Sequence, residues 1–126
     1  MLNVALLILR ICLGTIFLVH GAQKTFGAFG GPGIQGFTTM LSQMGFAPAS
    51  LWAYVAAYAE FIGGLFVILG ILTRGAAFMI SAVMLVAVFK VLWGKGFFGY
   101  EYNLLIIAVC VALMLLGPGK YSVMKN

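Results

Sequence analysis

Apolar and polar positions alternate on a coarse scale along this chain. Four apolar runs, at residues 4–21, 50–72, 76–93 and 101–116, are separated by short polar or glycine-rich stretches, and each run carries one charged residue: Arg10, Glu60, Lys90 and Glu101. About 20 residues at ~1.5 Å rise cross the ~30 Å hydrocarbon core of a bilayer, so the pattern predicts four membrane helices. The segment 70–75, GILTRG, is short enough to force antiparallel neighbours. The last run stops at Gly117-Pro118-Gly119. Between the first two runs, FGAFGGPGIQG cannot continue a helix through Pro32. Beyond it Ile34, Phe37, Met40, Leu41 and Met44 recur at spacings of three and four, which predicts a short amphipathic helix lying on the membrane or capping the bundle. Gly45 and Pro48 separate it from the second run. The expected fold is all-α: an integral membrane four-helix bundle in one domain, residues 1–126, with a short amphipathic helix in the first loop.

Composition narrows the class. Of 126 residues 64% are hydrophobic and 7% charged, more apolar surface than a soluble domain of this size could bury. The lipid bilayer is therefore the first partner. The net charge of +5 comes from seven scattered basic residues that never form a run, which fits interfacial charges on anionic headgroups and not a nucleic-acid surface. Cys12 and Cys110 form no CxxC and have no neighbouring ligand at metal spacing. The N-terminal run lacks a basic leader and a small-x-small cleavage site, so it reads as a retained helix. Gly31-x-Gly33-x-x-Gly36 matches a dinucleotide fingerprint by letters alone, since a membrane helix and not a strand precedes it. No haem motif, iron–sulfur spacing or metal site is visible, so no cofactor is evident and electrons for any redox chemistry come from elsewhere.

Four spans put both termini on one side, with Arg74, Lys120 and Lys125. The other side holds Lys24, Lys90 and Lys95, with Glu101. The basic count ties, and the expectation of cytoplasmic termini rests on the tail lysines lying squarely in solvent. Aromatics crowd the far side, Phe37, Phe46, Trp52, Trp93, Phe97 and Tyr102 among them, so part of that cluster is expected to line a pocket.

Glu60 stands near the middle of the second run. Left alone there it would cost roughly 3 kcal/mol or more, so it requires a partner. Its helical neighbours Ala53, Ala56, Ala57, Gly63 and Gly64 are small, which lets other helices approach and points Glu60 into the bundle. In the first run Arg10, Gly14, Phe17, Gly21 and Lys24 share one stripe at 100° per residue, with His20 at its edge. Counting ~1.5 Å per residue places Arg10, Glu60 and His20 about 9, 18 and 24 Å from the termini side, so Glu60 is expected between Arg10 and His20, with Lys24 and Glu101 completing a ring at the far mouth. Two accounts fit this polar set. The residues neutralise one another and fix helix packing, or they form a polar pocket that binds a small anionic or quinone-like ligand or relays protons. In the second account Glu60 and His20 exchange the proton, and Arg10, Lys24, Tyr58 and Glu101 hold the ligand. If the charged stripes face inward, Cys12, about 200° from Arg10, and Cys110, about 180° from Glu101, both face lipid, which disfavours a catalytic dithiol. Leu105, Ala108 and Ala112 would then share the inner face of the last helix with Glu101.

LLILRICLGTIFLVHGAQKTFG, Glu60-Phe-Ile-Gly63-Gly64, Gly70-Ile-Leu-Thr73-Arg74, GFFGYEYNLLI and GPGKYSV, in this order, resemble the DoxX family of small bacterial membrane proteins. The resemblance covers almost the whole chain and departs at Val123, where the family usually has an acidic residue. It implies a four-helix inner-membrane protein associated with redox processes: quinone-linked thiosulfate oxidation, catechol or quinone resistance, and complexes handling oxidative stress. Arg10, His20, Lys24, Glu60 and Arg74 fall on its motifs, with Arg74 read as a structural residue of the turn. Quinone is the implied ligand. A non-catalytic anchor or assembly subunit for a soluble oxidoreductase is the alternative, with homo-oligomerisation open. A small transporter fits less well, because the chain is short and has no internal repeat.

Overall fold

The computed structural model describes residues 1–92 and 96–123; Trp93, Lys95 and Lys125, invoked above, lie outside the described residues, as does the side chain of Phe97. The described elements are helical: α1 (Leu2–Phe26), α2 (Gly33–Gln43), α3 (Ala49–Leu69), α4 (Thr73–Ala87) and α5 (Phe97–Leu116), with a 3₁₀ turn at Ala28–Gly30 and a π-helical turn at Val88–Leu92 extending α4. Four helices are long and apolar enough to cross a membrane, and large apolar side chains such as Ile8, Phe78, Leu105 and Leu115 point outward from them. The protein is a multi-pass, all-α membrane bundle set in lipid.

Three helix ends differ from expectation for local reasons. α1 runs past Gly21 to Gly27, the first residue to take the left-handed conformation (φ 73°), whose amide caps the carbonyl of Ala22. Gly21 stays helical and serves the α1–α3 crossing instead. α4 starts at Thr73, because Gly70 (φ 75°) and Leu72 (φ 45°) complete the turn earlier. α5 starts after Gly96 (φ 78°), so the aromatic stretch that follows belongs to the helix and not to a loop.

α3 is the hub. It packs on α1, α2 and α4, while α5 packs mainly on α4 and touches α1 only slightly. Small residues set the α1–α3 contact. A Cβ on Gly64 would lie 2.5 Å from the backbone nitrogen of Leu18 and 2.7 Å from the carbonyl of Gly14, and Gly21 abuts the backbone of Phe61. Backbones therefore meet directly, which is how membrane helices gain packing without a hydrophobic driving force. The expected stripe on α1 is buried: Arg10, Gly14, Phe17 and Gly21 all face inward. On α4, Ser81 donates to the carbonyl of Phe78, the local satisfaction a buried hydroxyl needs.

The first turns of α3 extend past the α1 contact, and α2 covers them. Phe37 and Leu41 pack on Ala53 and Ala57 in a core of their own. The amphipathic helix thus caps the bundle.

The inner face of α5 is the reverse of the expectation. Asn103, Ile106, Cys110 and Leu113 point inward, while Glu101, Leu105 and Ala108 are exposed. Glu101 stands in the second turn of α5, close enough to the helix start to reach the polar interface, so nothing draws it inward. Cys110 is consequently core filler, and Cys12 alone of the two thiols faces outward.

Both ends of the chain meet. The Lys120 amide donates to Asn3 Oδ1 (2.9 Å) and the Val123 amide to the carbonyl of Leu69 (2.9 Å).

Candidate functional site

Glu60 is 1% exposed, on the small-residue face of α3 formed by Ala53, Ala57, Gly63 and Gly64. The carboxylate takes its partner from the end of α1. Because α1 continues past Gly21, Lys24 remains on the buried stripe and reaches back into the bundle. Its Nζ donates to Oε1 at 2.8 Å and to Oε2 at 2.9 Å. This is the one ion pair among the described residues. A carboxylate this deeply buried needs such a partner, because an uncompensated charge in the bundle is costly. The Lys24 ammonium also lies 4.9 Å from the centre of the Phe37 ring, so α2 supplies a second, weaker contact to the same cation.

Both members of the pair line a groove of about 370 Å³ between α2, α3 and α4. Phe46, Trp52 and Val55 line one side and Val83, Met84 and Val86 the other. Volume and lining fall in the usual range for small-molecule sites: mainly apolar, with few polar groups. A second cavity of about 530 Å³ opens on the other side of Lys24 and Phe37, bounded by Gln23, Gly30, Gly31, Pro32 and Met40. It lies under the loop between α1 and α2.

Asn103 was not singled out from the sequence. It is 6% exposed and donates from Nδ2 to the sulfur of Met84 (3.4 Å), a groove residue. A lone amide within the apolar stretch of α5 is the signal the sequence carries for it.

Of the other expected site residues, none joins the Lys24–Glu60 pair. Arg10 is 1% exposed, yet its guanidinium never meets Glu60. Nε donates to the carbonyl of Val67 (3.0 Å), Nη2 to that of Ile68 (2.9 Å), and Nη1 to those of Pro118 (3.0 Å) and Tyr121 (2.7 Å). The last carbonyls of α3 lack helical partners and sit at Arg10's own level, so they satisfy the guanidinium more cheaply than a long reach to Glu60. Lys24 is about 21 Å farther along α1. His20 is exposed and packs beside the Phe17 ring (6.4 Å between centroids), so Glu60 is not held between Arg10 and His20. Tyr58, about 200° round α3 from Glu60, stacks on Tyr54 at the outer surface. Glu101 is exposed, so no ring forms at the mouth. Arg74 is exposed in the first turn of α4, and the turn itself is made by Gly70 and Leu72. Among the described residues, no group of His, Cys, Asp and Glu gathers as a metal site.

Residues 5–93, more than half of the chain, match the model of the DoxX family. The chain is 31% identical over 132 residues to a protein of Bacillus subtilis (strain 168) named "Putative oxidoreductase CatD", an alignment spanning 98% of this chain and 92% of that protein. No solved structure matches. With its four apolar spans and a family match that takes in the Lys24–Glu60 pair and most of the groove, this chain belongs to the DoxX family.

Proposed function

We propose that the protein binds a quinone-like lipid in the groove between α2, α3 and α4, as the membrane-embedded part of an oxidoreductase system. The observation that carries this reading is the ion pair in the wall of an otherwise apolar groove between membrane-spanning helices. A quinone has an apolar tail and a ring bearing two carbonyl oxygens. The groove suits the tail, and the Lys24 ammonium is a donor for one carbonyl. Phe46 and Trp52 offer aromatic faces for the ring. Glu60 is the group that would exchange a proton with the bound ring. A small anion at the same ammonium is the alternative ligand. His20, Arg10, Tyr58 and Glu101 have no part in this site; Arg10 instead fixes the end of the bundle.

The name of the Bacillus subtilis relative supports an oxidoreductase context. The bacterial source of that relative supports the plasma membrane as the location. This reading puts the termini on the cytoplasmic side, where Arg74 and Lys120 stand exposed, while Lys24 is drawn into the bundle and Lys90 is exposed on the far side.

A second reading, a non-catalytic anchor for a soluble oxidoreductase, is favoured by the tail. Arg10 and Asn3 hold residues 118–121 in place, and Tyr121 and Val123 stand exposed at 49% and 67%. Titrating the purified protein with ubiquinone and menaquinone analogues separates the two. Saturable binding that weakens in Glu60→Gln supports the groove reading. No binding of any analogue, together with capture of a soluble oxidoreductase that is lost on deleting residues 119–126, supports the anchor.

A further inference from the structure

Lys24 belongs to two cavities, and Glu60 to one. The ammonium borders both the lipid-side groove and the larger cavity under the loop, whereas the carboxylate borders the groove alone. The numbers agree: the Lys24 side chain is 28% exposed and that of Glu60 2%. Phe37 is the wall between them. Its ring, 8% exposed, lines both cavities and lies beneath the ammonium. The loop-side cavity is the more polar of the two, with Gln23 and Lys24 in a lining otherwise made of glycine and apolar residues. Gln23 stands at its edge, its amide turned to the carbonyl of Phe29 (3.5 Å), and exposed Gly30 and Pro32 form its rim.

We propose that the ion pair is two-sided: protons reach Glu60 from water through the loop-side cavity by way of Lys24, while the groove admits the apolar ligand from lipid to Glu60. This rests on the groove reading for the ligand, but the route for the proton stands on the cavities alone. The step balances simply. The Lys24 ammonium gives one proton to a Glu60 oxygen along an existing hydrogen bond, leaving a neutral amine and a neutral acid. The amine takes a proton from hydronium of the aqueous phase in the loop-side cavity, leaving water. The acid gives its proton to an anionic oxygen of a groove ligand already reduced by electrons from a partner oxidoreductase, and returns to carboxylate, which restores the pair. Apart from the pair itself, the groove lining is apolar and offers no comparable chain of donors. His20 lies on an outer surface of α1 and cannot substitute.

Chemical modification in nanodiscs tests the two sides separately. In a Cys12→Ser, Cys110→Ala background, a membrane-impermeant acylating reagent, sulfosuccinimidyl acetate, probes Lys24, and lipophilic dicyclohexylcarbodiimide probes Glu60, each read by peptide mass spectrometry. Met40→Cys blocked with a charged methanethiosulfonate should abolish acetylation of Lys24 and leave Glu60 reactive. Val86→Cys blocked with a lipophilic maleimide should do the reverse. Lys24 that resists acetylation in the unblocked protein, or is protected by the Val86 block and not by the Met40 block, overturns the two-sided pair. Failure of quinone binding with Lys24 still modified through the loop side would count against the groove ligand and leave the water route standing.

Discussion

Lys24 and Glu60 form a bidentate contact, 2.8 and 2.9 Å, between the last turn of α1 and the middle of α3. The two partners are unequally buried, and that asymmetry has consequences for stability. Removing Lys24 strands a carboxylate that has no route to water. Removing Glu60 leaves an ammonium that still reaches the loop-side cavity. Lys24→Met should therefore destabilise by about 3–5 kcal/mol, and Glu60→Gln by roughly 1–3 kcal/mol. The double variant should fall well short of the sum, because the pair's loss counts once. Thermal unfolding in detergent of the wild type, both single variants and the double variant gives the comparison, and Glu60→Gln proving the more damaging would contradict it.

Arg10 works at the other end. Its four donor contacts tie the last turn of α3 to residues 118–121. A lysine ammonium has three donors at one point and cannot span those carbonyls as a planar fork does. Arg10→Lys should cost roughly 1–3 kcal/mol for each carbonyl left unpaired in the buried cluster, and should free the tail. Trypsin cleavage after Lys120 is the readout: slow in the wild type, fast in Arg10→Lys, with the groove's ligand binding retained.

Glycines on the helices divide by what surrounds them. Gly64→Ala would drive a Cβ into the Leu18 nitrogen and the Gly14 carbonyl, both backbone atoms that cannot swing aside. A loss of about 1–3 kcal/mol is expected. Gly75, in the first turn of α4, has nothing within 4 Å of such a Cβ. Gly75→Ala should leave stability unchanged or raise it by up to about 1 kcal/mol. Melting temperatures in the same detergent distinguish the two.

Val55 is 51% exposed and lines the groove without touching the ion pair's hydrogen bonds. Val55→Trp should fill the groove, abolish binding of quinone analogues, and leave the unfolding temperature close to that of the wild type. Unimpaired binding would place the ligand elsewhere.

Much of this arrangement is written in the residue pattern. The α1 stripe from Arg10 through Gly14 and Phe17 to Gly21 follows from 100° periodicity, and the small face around Glu60 from residue size. The amphipathic spacing of Phe37 and Leu41 marks α2. Arg10's partners could not be read, because backbone carbonyls have no letter in the sequence. The face of α5 is equally hidden: a helix apolar nearly all round carries no periodicity, and its one charge, Glu101, points away from the core. A first helix ending at Gly21 leaves Lys24 at the mouth. Five further residues of α1 carry the lysine into the site.

The most direct measurement is photo-labelling with an azido-quinone analogue in nanodiscs, mapped by peptide mass spectrometry. The groove account predicts labelling on Trp52, Val55, Met84 or Val86 that unlabelled quinone competes away and that Val55→Trp abolishes. Labelling confined to the outer faces of α1 and α5, such as Ile8 and Leu105, and insensitive to competitor would contradict it.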